Sequence, residues 1–227
     1  MKVALLHALP FDPRMWEPQL GALGDHEVHA PKLYELGHGV DEWALSLLQQ
    51  VPGQFVVVGA SMGGYTAGAL ARLAPERLLG VVLSGSRADA DAPERRPVRE
   101  KWIEIARERG GEGIWEQVAP AFFPEGSDPA VVDFARSIAV EQQPEDLVRA
   151  VEAIRDRPDS TEALTSGIPL LFVVGASDPL ASPEYAREIA AASPNGRAEV
   201  YEGVGHLPNL QRPDDFNRLL TEFLAAL

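Results

Sequence analysis

The stretch Gln54–Ala74 constrains the fold of this chain more than any other part of it. QFVVVG is an apolar run without polar alternation, as expected of a strand covered on both faces. It leads directly into Gly59-Ala60-Ser61-Met62-Gly63-Gly64 and then into a Gly- and Ala-rich helical pattern over Met62–Ala74. A strand that turns this tightly into a helix needs glycine where the two backbones meet. The same strand-then-helix order recurs along the chain. Lys2–His7, Glu27–Pro31, Leu78–Gly85, Pro169–Gly175 and Ala198–Glu202 read as further strands. Between them lie helical patterns: Trp16, Leu20 and Leu23, with Pro18 in a first turn; Trp43, Ala44, Leu47, Leu48 and Val51, with Asp41 as N-cap; and Pro183–Ala192. A last helix carries Phe216, Leu219, Leu220, Phe223, Leu224 and Leu227 on one stripe. This order implies an α/β fold, with about six mostly parallel strands and helices on both faces.

Residues 87–166 break the pattern. They contain no convincing strand, and apolar positions such as Trp102, Ile105, Ile114, Val118 and Phe122 recur at helical spacing. Helices are expected over Val98–Arg109, Gly113–Phe122, Pro129–Glu141 and Glu145–Asp156. The stretch reads as a helical cap, inserted before the penultimate strand of a core formed by residues 1–86 and 167–227. The charged run DADAPERR (Asp89–Arg96) reads as a solvated entry loop to it.

Composition removes whole classes of function. With 34 acidic and 20 basic residues the net charge is −14, which opposes nucleic acid or an anionic membrane surface as partner. There is no cysteine, so disulfides, thiolate metal sites and cysteine nucleophiles are excluded. The opening MKVALLHALPFDP is too short an apolar run for a membrane span and carries no leader-like cleavage site, so a cytoplasmic location is expected. The oligomeric state is not legible.

The chemistry centres on Ser61. A serine on a strand-to-helix turn flanked by glycines has the setting of a nucleophile elbow, with its hydroxyl at the N-terminus of a helix that favours negative charge. A serine needs a base. Of the five histidines, His206 lies in Gly203-Val-Gly-His-Leu-Pro-Asn, after the last strand and so at the carboxyl edge of the sheet shared with Ser61. His26 and His29 flank a weak strand and read as surface or structural groups; His38, between two glycines, reads as a loop residue. Asp178, in Gly175-Ala-Ser-Asp-Pro-Leu after the preceding strand, is the candidate orienting carboxylate. Asp89 and Asp91 fall in the charged run and are weaker candidates. The order Ser61, Asp178, His206 is the serine–acid–histidine order of such a sheet.

On these residues the chain resembles the α/β-hydrolase superfamily, in particular its capped esterase, enol-lactonase and cofactor-free haloperoxidase branches. The resemblance rests on LLHALPFDPRMW, VVVGASMGGY, IPLLFVVGASDPLASPE and GVGHLPNLQRPDDFNRLLTEFL. It covers nearly all of the chain outside residues 87–166, which occupy the cap position. It implies an α/β-hydrolase fold lacking that family's N-terminal antiparallel hairpin. It implies an oxyanion hole formed by the backbone N–H groups of Met62 and Leu9. The family usually has His-Gly-X at the second of these loops, whereas this chain has His7-Ala8-Leu9, and His7 is expected to brace that loop rather than act as base.

The reaction implied is cleavage of a small or medium, largely apolar ester or lactone through an acyl-enzyme on Ser61, without metal or organic cofactor. Phe11, Trp16, Met62, Trp102, Trp115, Phe122 and Phe123 are the candidate pocket walls, and Asp12, Arg14, Ser86 and Arg87 could add polarity at its edge. The acidic charge adds a mild bias toward neutral substrates. Two other readings use the same residues: carbon–carbon bond hydrolysis or cofactor-free perhydrolysis, and a hydrolase-like receptor with little turnover.

Overall fold

A computed structural model describes residues 1–227. Six strands form one sheet: β1 (Lys2–Leu6), β2 (Glu27–His29), β3 (Phe55–Ala60), β4 (Leu78–Ser84), β5 (Leu170–Gly175) and β6 (Gly196–Tyr201). Their spatial order is β2-β1-β3-β4-β5-β6, and every pairing is parallel. Strands β3 and β5 are buried at every residue, which explains why neither shows polar alternation. The helices are α1 (Glu17–Leu20), α2 (Val40–Gln50), α3 (Met62–Leu73), α4 (Arg96–Phe122), α5 (Pro129–Ala139), α6 (Pro144–Arg155), α7 (Thr161–Leu164), α8 (Pro183–Ala192), α9 (Pro208–Gln211) and α10 (Pro213–Ala225). Strand β4 shows how both faces are covered. A Cβ on Gly80 would touch Phe223 of α10, whereas Leu83, three residues on and on the other face, lies against Gly64 of α3.

Several local expectations shift. Helix α2 begins at Val40 with Gly39 as N-cap, not at Asp41. Glu42, at the third helical position, returns its carboxylate to the His38 N–H at 2.9 Å, satisfying a donor just ahead of the helix. Asp41 is thereby freed to pair with Arg72 of α3. On α10, Phe216, Leu219, Leu220 and Leu224 are buried, but Leu227 is exposed. The two helices expected on either side of residue 110 form one span, Arg96–Phe122, broken where Gly110 takes φ 54°. Only glycine adopts such a conformation without strain. The segments α7 and α9 are each four residues long, too short for a periodic signal to reveal them.

The helices α4–α6 share the core of the sheet. One continuous buried cluster runs from Val57 and Leu83 to Ile103, Ile114, Ile138 and Leu147. Polar ties reinforce the contact: Arg14 with Glu141 at 2.7 Å, Gln142 Nε2 donating to Asp12 at 2.8 Å, and Lys32 with Asp146 at 2.8 Å. No helix is long and apolar enough to cross a membrane.

Candidate active site

Ser61 lies at the end of β3, immediately before α3, with φ 46° and ψ −110°. It is the only residue other than glycine with positive φ. A side chain costs energy in this region, so the conformation must be held by its surroundings. Three bonds hold it: the Ser61 N–H donates to Ser84 O at 2.9 Å, and Ser61 O accepts the Ser86 hydroxyl at 2.7 Å and the Gly64 N–H at 2.9 Å. The flanking glycines are required by space. A Cβ on Gly59 would lie 2.5 Å from the backbone of Gly63 and Gly64, and one on Gly63 would lie 2.0 Å from Leu6 O. Helix and strand backbones therefore touch directly, and the Ser61 side chain is turned outward at the carboxyl edge of the sheet.

Loops after β5 and β6 bring two further groups to the same edge. His206 Nε2 lies 2.8 Å from Ser61 Oγ, and His206 Nδ1 lies 2.8 Å from Asp178 Oδ2. Asp178 is acceptor-only when ionised, so Nδ1 carries the proton and Nε2 presents a lone pair to the serine O–H. The other Asp178 oxygen accepts the N–H groups of Leu180 at 2.8 Å and Ala181 at 3.1 Å. That fixes the carboxylate in a setting where its side chain is fully buried. His206 is held from three sides. Its N–H donates to Phe122 O at 3.1 Å, its ring stacks on Phe122 at 4.8 Å, and Gln211 Oε1 accepts the N–H groups of Gly205 and Leu207 on either side. Gln211 was not singled out from sequence, because its role depends on α9 folding back under the histidine loop.

The loop after β1 faces Ser61 from the other side. Leu9 lines the Ser61 cleft, and its N–H donates to no protein acceptor. The Met62 N–H is the first of α3, and a first-turn N–H has no intrahelical partner. His7 sits at the root of this loop, fully buried. Its Nδ1 donates to Ala8 O at 3.1 Å and its Nε2 accepts the Leu33 N–H at 2.9 Å. Both ring nitrogens are thus used by one neutral tautomer, and burial pushes the imidazole down to about 4. Of the remaining histidines, His29 pairs with Glu27, His26 neighbours the N-terminus, and His38 borders surface clefts away from Ser61.

The cleft that reaches Ser61 is narrow, with about 40 Å³ of free volume. Leu9, Trp102, Phe122, Ile154 and Leu180 give it an apolar wall, and Tyr65, Arg87, Arg95 and Arg99 a polar one. Of the six aromatic candidates, Trp102 and Phe122 line it. The other four are elsewhere: Phe11 is buried behind Phe122, Trp16 packs on Phe216 in the core, and Trp115 and Phe123 pair with each other. Met62 is also fully buried. Asp12 and Arg14 bond one another beside Gln142 and Glu141 rather than edge the cleft.

The charged run after β4 is exposed at Ala90, Ala92, Pro93, Glu94 and Arg96, as a solvated loop should be, but Asp91 is drawn inward. Asp91 receives both Arg99 and Arg157 at 2.8–2.9 Å, and all three side chains are at most 5% exposed. The two guanidiniums hold the Asp91 carboxyl below its usual range against the cost of burial. Arg87 pairs with Asp89 and lies over the Tyr185 ring at 4.0 Å. No three His, Asp or Glu side chains converge in a way that could hold a metal ion.

Comparison with known proteins bears on this site. A family model described as the alpha/beta hydrolase family matches residues 3–219. A pimeloyl-[acyl-carrier protein] methyl ester esterase from Yersinia pseudotuberculosis is 26% identical, over 97% of this chain and 92% of its own length. Among solved structures, a thermophilic esterase from Thermogutta terrifontis, with malate bound, superposes with a TM-score of 0.92 at 30% identity, covering 100% of this chain and 90% of that one. An enol-lactonase from Burkholderia xenovorans LB400 does so with a TM-score of 0.84 at 27% identity, covering 99% and 91%.

Proposed function

This chain belongs to the alpha/beta hydrolase family and is a hydrolase acting on ester bonds; from that premise we propose that it cleaves a small or medium ester or lactone through an acyl-enzyme on Ser61. The observation that carries this reading is the unbroken chain of hydrogen bonds Ser61–His206–Asp178, with both distances 2.8 Å, opening into a cleft.

In this reading His206 Nε2 takes the Ser61 proton as Oγ attacks the carbonyl carbon. The Leu9 and Met62 N–H groups receive the oxyanion; one such donor typically lowers the barrier by about 3 kcal/mol. Asp178 keeps Nδ1 protonated and stabilises the imidazolium. His206 then gives its proton to the leaving oxygen, and the acyl-enzyme forms. In the second half His206 draws a proton from water as its oxygen attacks the acyl carbon; the bond to Ser61 Oγ then breaks, His206 returns the proton to Oγ, and the acid leaves. Residues 87–166 serve as a cap over the core formed by 1–86 and 167–227, and contribute Trp102, Phe122 and Ile154 to the wall that receives the apolar part of the substrate. The substrate is a small molecule, and no cofactor enters the cycle.

The test is an activity-based label. A fluorophosphonate should modify Ser61, located by peptide mapping, and the protein should turn over short p-nitrophenyl esters. Ser61→Ala should remove both. Turnover that survives Ser61→Ala would sink the assignment of the nucleophile.

A further inference from the structure

The polar side of the Ser61 cleft has an unbalanced charge. Three guanidiniums line it, those of Arg87, Arg95 and Arg99, and a fourth, Arg157, is buried next to them against Asp91. Two carboxylates bond them, and a third, Asp159, lies exposed beyond Arg157. Asp89 bonds Arg87 at 2.6 and 2.8 Å. Asp91 bonds both Arg99 and Arg157. Asp159 feels the Arg157 charge and accepts the Thr161 N–H at 2.8 Å. Arg95 is left over. Its side chain makes no hydrogen bond and no ion pair, although it is only partly exposed and lines the cleft together with Ser61. Burial, and then the Arg99 charge, work against its positive charge, and the Asp91 carboxylate offsets them only in part.

This arrangement runs against the composition. A chain with 34 carboxylates and 20 basic residues has carboxylates to spare, yet none bonds this half-buried guanidinium, and the one that acts on it, Asp91, is already bonded to Arg99 and Arg157. An unpaired buried cation is costly until something neutralises it. A guanidinium offers a planar fork that fits a carboxylate through two parallel N–H bonds. Arg87 and Arg99, each with a carboxylate already in place, shape the wall around Arg95 but leave it the open valence. The rest of the lining, Leu9, Trp102, Phe122 and Ile154, is apolar, with the Trp102 ring beside Arg99, and suits a short hydrocarbon spacer.

We propose that Arg95 is a specificity residue that receives a free carboxylate on the substrate, so that the preferred ester or lactone is anionic at the end remote from the carbonyl attacked by Ser61. This rests on the serine-hydrolase reading above and narrows it to one substrate class.

The test uses a matched pair of probes, mono-p-nitrophenyl glutarate and p-nitrophenyl pentanoate. They share chain length and leaving group and differ in the terminal carboxylate. The wild type should show the higher kcat/KM for the glutarate ester. Hydrogen bonds to a charged group predict that Arg95→Gln lowers that preference on the order of 10- to 100-fold, chiefly through KM. Arg95→Lys should retain part of it, because the charge remains while the fork is lost. Preference for the neutral ester in the wild type, or equal losses on both esters in Arg95→Gln, would overturn the proposal. A second readout is independent of turnover. Glutarate should raise the melting temperature of the wild type and of Ser61→Ala, but not of Arg95→Gln. If neither ester is turned over while glutarate still stabilises through Arg95, the hydrolase reading fails and the anion site stands. If the esters are cleaved without carboxylate preference and glutarate stabilises nothing, the anion site fails and the hydrolase reading stands.

Discussion

Acid should weaken this protein through His7, and the size of the effect follows from its position. The ring is fully buried, with both nitrogens bonded in one neutral tautomer between Ala8 O and the Leu33 N–H. Protonation would turn Nε2 into a donor pointing at another donor. The neighbouring charges Asp12, Asp146 and Lys32 act in opposite senses, and burial dominates. In the unfolded chain the imidazole takes up a proton below about 6.5; in the folded chain it resists until about 4. Across that window the unfolded state binds more protons, so stability falls as pH falls. The effect is absent above 6.5, grows by about 1.4 kcal/mol per pH unit below it, and levels off near 4 at about 3 kcal/mol in all. The assay is urea unfolding of the wild type and His7→Gln at pH 7.5, 6, 5 and 4. A glutamine amide can still accept from Leu33 and donate to Ala8, but it does not titrate. Carboxylate titrations common to both proteins cancel in the difference. The wild type should lose about 3 kcal/mol relative to His7→Gln between pH 7.5 and 4. Curves that stay parallel within ~0.5 kcal/mol would show that His7 is not held neutral, and the account of the Leu9 loop would fall with it.

Two substitutions test the rest of the site. Asp178→Asn keeps the shape of the carboxylate but can donate to Nδ1, which favours the tautomer with its proton on Nε2; kcat should fall about 10³- to 10⁴-fold, with KM and melting temperature nearly unchanged. Gly63→Ala places a methyl 2.0 Å from Leu6 O, a backbone atom that cannot turn aside; thermal unfolding should show a loss of at least about 3 kcal/mol, or no folded protein at all.

What the sequence made legible was whatever local spacing and chain order encode. The elbow could be read because its glycines, serine and flanking strand lie within a dozen residues. Asp178 and His206 could be placed because loops after successive parallel strands share one edge of the sheet. The aromatic wall could not be read this way. Trp16 and Trp102 look alike in sequence, but one is locked against Phe216 in the core and the other lines the cleft. Helical spacing says which residues face inward, not which inward-facing residues meet a void. Nor could the ion pairs be read. Asp91 is closed off by Arg157, 66 residues further along the chain, so within a run that is otherwise largely exposed this one carboxylate looks solvated until the fold supplies its partner. Gln211 escaped notice for a different reason: its partners are only four and six residues away, but its amide serves the histidine loop only because the four-residue α9, too short to read from spacing, turns back toward it.

Net charge and the Arg95 proposal point in opposite directions. A chain at −14 should repel anions at long range, and sequence reading extended that to a preference for neutral substrates. Yet exposed charges are screened beyond about 8–10 Å at ordinary ionic strength, while a charge inside a narrow, partly apolar cleft is screened far less. If a substrate carboxylate is held at Arg95 as proposed, that contact outweighs the distant carboxylates of the surface. The two effects also separate in experiment. Added salt should weaken the repulsion that slows an anionic ester on approach, and it should do less to the contact that holds it. An acidic enzyme can thus select an acidic substrate, provided the deciding charge is within the cleft and the opposing ones are outside it.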